Sequence, residues 1–205
     1  MSIGLIKLKE LLLPDFCDRE ILRYAGVRTS DDYDSKLLND LKREISLSIK
    51  TTVVYREMPI EIHNDTVHLE RVSVYSKALA KAMKRAEKTV FMAATLGIDT
   101  DRIIAKLSKI SPARALLADA IASERIEALC DAFCLKLKEE VSPLGLSVGF
   151  RFSPGYGDLP LEFQKEIFSY LSPERYIGLT LNNSLMMSPS KSVSAIIAIE
   201  RTKEE

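Results

Sequence analysis

Leu37, Leu38, Leu41, Ile45 and Ile49 recur three or four positions apart, a spacing that gathers them on one face of an amphipathic helix over residues 31–50. A shorter helix precedes it at 18–24, where Ile21 and Leu22 follow an aspartate placed to cap and Gly26 can close the turn. From Thr51 the pattern turns β-branched. Segments 52–55, 59–63 and 66–69 read as short strands, the last two joined in a hairpin through Asn64 and Asp65. A helix rich in alanine and lysine is predicted at 76–85. The uninterrupted apolar run at 89–97, bounded by turn signals, predicts a buried strand, and a short helix at 100–108 follows.

The longest element falls at 112–139. Ser111 stands as its cap and Pro112 at its first helical position, where the missing amide donor costs nothing. Such a helix spans roughly 40 Å and forms the backbone of the domain. Beyond it the pattern predicts a strand at 145–152, a helix at 161–171 after Pro160, and strands at 176–181 and 192–200. Helices and strands are interspersed without regular alternation, and the hairpin argues for antiparallel pairing. The expected class is α+β, as one domain over 1–205 with a long central helix.

Charge narrows the partners. Lys and Arg total 29 and Asp and Glu total 29, so no strong field draws the chain to nucleic acid or to an anionic membrane. The odd set Cys17, Cys130 and Cys134 has no disulfide-scaffold spacing, which points to a reducing, cytoplasmic setting. Cys130 and Cys134 share a helix face; a dithiol pair is conceivable, and small apolar filler is the simpler reading, because no histidine or further cysteine lies nearby. Lys7, Lys9 and Glu10 interrupt the first apolar run, which is therefore not read as a signal peptide. No run approaches the ~20 apolar residues that span a bilayer.

Candidate chemistry is sparse. There is no glycine-rich phosphate loop, since Gly155-Tyr156-Gly157 lacks the third glycine and the strand-to-helix register. His63 and His68 flank the hairpin turn without an adjacent carboxylate or thiolate, a poor metal site, and they leave no base for hydrolase chemistry elsewhere. Glu124, Glu127 and Asp131 lie three and four apart along the long helix, a repulsive row that costs about 0.2–0.5 kcal/mol per neighbour pair. With Arg125 and Lys138 beside it, the row reads as an ordinary solvated face. Ala120, Ile121, Ala128 and Ala132 imply close packing instead, which would put a carboxylate where a ligand's ammonium or hydroxyls could meet it. Arg151 closes the strand at 145–152, and Pro154-Gly155 fixes a turn behind it. An arginine, a bare backbone bend and Tyr156 make a compact site for a small zwitterion.

The pattern Arg-x-Ser-Pro-Gly-Tyr-x-x-x-Pro at 151–160, followed by Ser184, Met187, Pro189, Ser192, Val193 and Ser194, resembles the activation domain of cobalamin-dependent methionine synthase. Thr95-Leu96-Gly97 and Glu127-Ala128 are similar to that family in matching order, so the likeness runs over about 88–200. The resemblance implies a twisted antiparallel sheet flanked by helices, with S-adenosylmethionine in a shallow groove. It places Arg151 on the ligand's carboxylate, Ser153, Gly155 and Tyr156 in the segment that holds it, and Glu127 as the acidic helix contact. It further implies a role in repair: S-adenosylmethionine supplies a methyl group, and flavodoxin or ferredoxin an electron, to restore cob(II)alamin. Cobalamin would be met only through a partner, because no Asp-x-His-x-x-Gly cobalamin loop occurs here; the expectation is a free-standing subunit acting on a separate cobalamin-binding methionine synthase chain. No catalytic acid or base is implied. Asn182 and Asn183 stand where many relatives have Thr-Glu, and Glu162 where some have histidine. Two other readings stay open: an S-adenosylmethionine-binding module for another corrinoid protein, and a structural protein in which Arg151 and Glu127 merely pair.

Overall fold

The computed structural model describes residues 7–27 and 33–202. In chain order the elements are strand β1 (Lys7–Glu10), helices α1 (Asp18–Tyr24) and α2 (Ser35–Ser46), strands β2 (Thr52–His63), β3 (Thr66–Leu69) and β4 (Val72–Tyr75), helix α3 (Lys77–Ala82), strand β5 (Ala86–Thr95), helices α4 (Ile98–Ile110) and α5 (Pro112–Val141), strand β6 (Leu146–Phe152), helices α6 (Gln164–Leu171) and α7 (Pro173–Ile177), and strands β7 (Thr180–Leu181), β8 (Met187–Ser188) and β9 (Ser192–Arg201). Single 3-10 turns at Ser142–Leu144 and Leu161–Phe163 lead into β6 and α6. Seven strands make one antiparallel sheet in the order β4-β3-β2-β5-β9-β6, with β1 also paired to β2, while β7 and β8 form a separate small hairpin. The class is α+β.

Alternation along β5 and β9 sorts their side chains into two layers. Phe91, Ala93, Ile196 and Ala198 face Leu79 and Met83 of the α3 region and Ile167 and Tyr170 of α6. Val90, Met92, Ala94, Ala195, Ile197 and Ile199 face Ile126, Leu129, Phe133 and Leu137 of α5. A strand covered on both faces needs apolar residues at successive positions, which is why the run near 90 has no polar interruption. The first turns of α5 leave the sheet and pack Leu117, Ala118 and Ile121 against Ile21, Leu38, Leu41 and Ile45 of α1 and α2.

Several boundaries differ from expectation. The two strands expected at 52–55 and 59–63 are one: Met58 is buried, Arg56 meets Glu70 at 3.1 Å, and Glu57 meets Lys88, so the intervening polar positions are all accommodated. Pro59 sits at the last register position with β5, where the strand changes partner to β3 and a missing amide disturbs pairing least. The apolar run stops being strand at Thr95, whose hydroxyl accepts from the Gly97 amide and starts α4 two residues early. Helix α3 ends at Ala82 rather than 85, and α2 ends at Ser46; residues 31 and 32, where that helix was expected to begin, lie outside the described residues. The strand expected at 176–181 is confined to Thr180–Leu181, because Pro173 opens α7, which runs to Ile177, and Gly178 closes it. Strands β1, β4 and β8 were not anticipated. Among the described residues no helix is long and apolar enough to cross a membrane.

Phe133 is fully buried and meets the Tyr55 ring edge-on at 4.9 Å, where α5 crosses the sheet. Phe133→Ala is expected to cost about 3–5 kcal/mol, read as a lower denaturation midpoint with an unchanged slope in urea.

Candidate functional site

Arg151 and Phe152 end β6, the last strand of the sheet, and the chain then bends through a short loop. The loop is closed by its own backbone: the Tyr156 amide donates to the Ser153 carbonyl at 3.2 Å, the Leu159 amide to Tyr156 at 3.1 Å, and the Gly155 amide to Leu159 at 2.9 Å. Gly155 holds a φ of +91° there, a conformation that side chains rarely adopt. Gly157 approaches α3 so closely that a Cβ would lie 2.7 Å from the Ala78 methyl. Asp158 completes the attachment, accepting from the Ser76 hydroxyl and from the amides of Lys77 at 2.8 Å and Ala78 at 3.1 Å. These bonds favour the ionised carboxylate, and the Ser76 hydroxyl above all holds its pKa below the usual range.

Helix α5 supplies the opposite wall. Glu127 Oε2 lies 2.5 Å from Arg151 Nη2, and Asp131 Oδ1 lies 3.9 Å from the same nitrogen. Arg151 Nη1 is buried without a hydrogen-bond partner in the described structure. Burial, and then the Glu127 carboxylate, raise the Asp131 carboxyl above its ordinary range. Glu124, expected to share this face, turns away into the protein. It is buried against Arg125, whose guanidinium also donates to the Pro14 and Asp15 carbonyls at 2.6 and 3.1 Å and lies 4.0 Å from the Phe16 ring. Arg125 is therefore an anchor for the chain before α1, not part of a solvated face.

The third wall comes from the β7–β8 hairpin and the start of β9. Asn182 organises the hairpin turn, its side-chain oxygen accepting from the Ser184 and Met186 amides, both at 2.9 Å. Ser190 is held to Asp101 of α4 through its amide and hydroxyl, and Lys191 to Asp119 and Ser123 of α5. Ser192 donates to the Pro189 carbonyl and meets the Thr95 hydroxyl, both at 2.8 Å.

Together these walls enclose a groove of about 430 Å³. Of the residues expected at a site, Glu127, Arg151, Ser153 and Tyr156 line it, joined by Met187, Ser192, Val193 and Ser194; Gly155, Ser184 and Pro189 shape its walls without lining it. Phe152 and Gln164 also line it and were not anticipated, since neither residue type at a strand end or helix start carries a sequence signal. Glu127 and Arg151 are shared with a second, larger groove of about 930 Å³ that runs beneath Leu11, Leu12 and Leu13 along α5. Cys17, Glu124 and Asp131 line the larger groove, whereas the two histidines and the other two cysteines line neither. His63 and His68 meet across their turn with ring centroids 5.5 Å apart, and His68 Nδ1 lies 2.8 Å from the Ser73 hydroxyl. Cys130 is buried in the layer between α5 and the sheet, and burial, then Asp131, raises the half-buried Cys134 thiol to about 11.

The family described as vitamin B12 dependent methionine synthase, activation domain, matches residues 79–204, more than half of the chain. The chain belongs to this family. The matched segment of this activation domain contains both motifs of the groove and the whole of α5, whereas β1 to β4, α1 and α2 precede it. The fold is also that of a crystal structure of the MetH reactivation domain bound to AdoHcy, with a TM-score of 0.72, 14% sequence identity, and coverage of 100% of this chain and 81% of that one. Comparison with curated proteins finds no match.

Asp158 offers a direct test of how this activation domain holds its loop. Its folded pKa lies below the unfolded value, so its contribution is complete above about pH 4 and is lost as pH falls through the depressed folded value. Asp158→Asn is expected to melt lower than wild type at pH 7, with the difference shrinking below pH 4; a constant offset across that range would show that the carboxylate charge is not what holds the loop.

Proposed function

We propose that this activation domain binds S-adenosylmethionine in the groove at Arg151 and serves the reductive methylation of cob(II)alamin carried by a cobalamin-binding methionine synthase partner. In that reaction flavodoxin or ferredoxin supplies one electron to the cobalt, and the methyl group passes from the sulfonium sulfur to the cobalt, leaving S-adenosylhomocysteine. The observation that carries the reading is Arg151: one terminal nitrogen is engaged by Glu127, while the other is buried and unpartnered beside a groove lined by both motifs. A carboxylate is the group that such a nitrogen lacks. Glu127, already on the same guanidinium, then stands beside the ligand's ammonium. Ser153 and Tyr156 line the groove next to it, and Gly155 sets the bend.

The domain's part is orientation and proximity. Methyl transfer from a sulfonium needs no proton moved by the protein, and the residues gathered at the groove hold and position rather than exchange protons. AdoHcy, bound by the structurally similar MetH reactivation domain, is the product that such a transfer leaves. A purely structural Arg151–Glu127 pair is the rival, favoured by their 2.5 Å contact but leaving Nη1 without a purpose.

Titration calorimetry separates the two. Wild type is expected to bind S-adenosylmethionine, and Arg151→Ala to bind roughly ten- to a hundredfold more weakly, the range for losing a hydrogen bond to a charged group. Equal affinity in the two proteins would remove the site. Mixing the chain with a cobalamin-bearing synthase supplied separately, reduced flavodoxin and S-adenosylmethionine is expected to regenerate the methylcobalamin absorbance. Binding without regeneration leaves the reading of a module for another corrinoid protein.

A further inference from the structure

Three buried side-chain polar atoms have no hydrogen-bond partner in the described structure: Arg56 Nε, Arg151 Nη1 and Gln164 Oε1. Two of the three belong to residues that line the same groove. Gln164 is the first residue of α6 and is only 5% exposed, although a glutamine in the first turn of a helix ordinarily reaches water. Its Oε1 is a buried acceptor with no donor against it in the described structure. An amide left this way is costly unless something arrives to meet it.

The two orphans ask for different chemistry. Arg151 Nη1 is a cationic donor and calls for an anionic oxygen. Gln164 is neutral, and its amide can set a donor beside an acceptor, a pair that matches the amino group and adjacent ring nitrogen of adenine. Phe152, Met187 and Tyr156, which line the same groove, supply the apolar faces that a purine needs on either side of its plane. We infer that Gln164 reads the amino-bearing edge of the ligand's adenine and is the residue by which the groove prefers an adenosyl ligand. The inference rests on the S-adenosylmethionine reading of the groove and adds which side chain selects the base.

The test is a two-by-two comparison by calorimetry. One ligand is S-adenosylhomocysteine; the other is its 6-deamino analogue, in which hydrogen replaces the amino group of the base. Wild type is expected to prefer the first by about tenfold or more, the scale of a matched amide–adenine pair. Gln164→Leu is expected to bind the two about equally, with the loss falling on S-adenosylhomocysteine. Gln164→Glu, close in shape and retaining an acceptor for the amino group, is expected to keep a preference and guards against a loss caused by misfolding. An undiminished preference in Gln164→Leu, equal weakening of both ligands, or no preference in wild type overturns the assignment. If wild type binds neither ligand, the reading of the groove falls as well, and that failure is visible without any variant.

Discussion

The seating of α5 across the sheet decides where Glu127 points and which strand end it meets. Leu129, Phe133 and Leu137 lie down on Val90, Met92, Ile197 and Ile199, and that contact fixes the rotation of the helix about its axis. Residues offset from this stripe must then face sideways, and Glu127 and Asp131, one turn apart, look toward the edge of the sheet. The strand at that edge is β6, and Arg151 lies near its end. A guanidinium and a carboxylate come together there because the core on either side leaves the helix no other rotation.

Two acid–arginine pairs on α5 show how similar residues take different roles. Arg125 is saturated: it meets Glu124, two carbonyls and an aromatic face, while Glu124 also accepts from the Cys17 amide at 3.2 Å. A buried ion pair recovers its desolvation cost only when its remaining hydrogen-bonding sites are filled, and this one fastens the first described strand and its loop to the helix. Arg151 is not saturated. Its contacts stop at Glu127 and a distant Asp131, with one nitrogen left over. The incomplete pair sits in the groove, and the complete one is structural.

The elements that rest on a single strong periodicity were legible. Pro112 after Ser111 and the long apolar spacing gave α5 nearly to its ends, and the apolar run near Phe91 gave β5 because a doubly covered strand has nowhere to place a charge. What escaped depended on partners distant in the chain. Arg56 and Glu57 look like a break in a strand until Glu70 and Lys88 come alongside, and β1 carries two lysines that no local pattern assigns to a sheet. Tyr176 and Ile177 have strand composition, but Pro173 and Gly178 impose a turn of helix. The groove was legible as two separated motifs. Gln164, a glutamine made unusual only by burial, had no signature along the chain.

The groove walls are held mainly by carboxylates outside it. Asp158 ties the Arg151 loop to α3, Asp101 holds Ser190, and Asp119 holds Lys191, so the segments carrying both motifs are fastened to helices at points that do not line the groove. This division has an energetic consequence. A ligand entering a groove whose loops are already bonded does not also have to order them, and more of its contact energy appears as affinity. It leaves Arg151 and Gln164 as the groove residues with buried polar atoms unspent. Rigidity built from bonds elsewhere is what lets those two remain unsatisfied in the folded protein without the loops collapsing onto them.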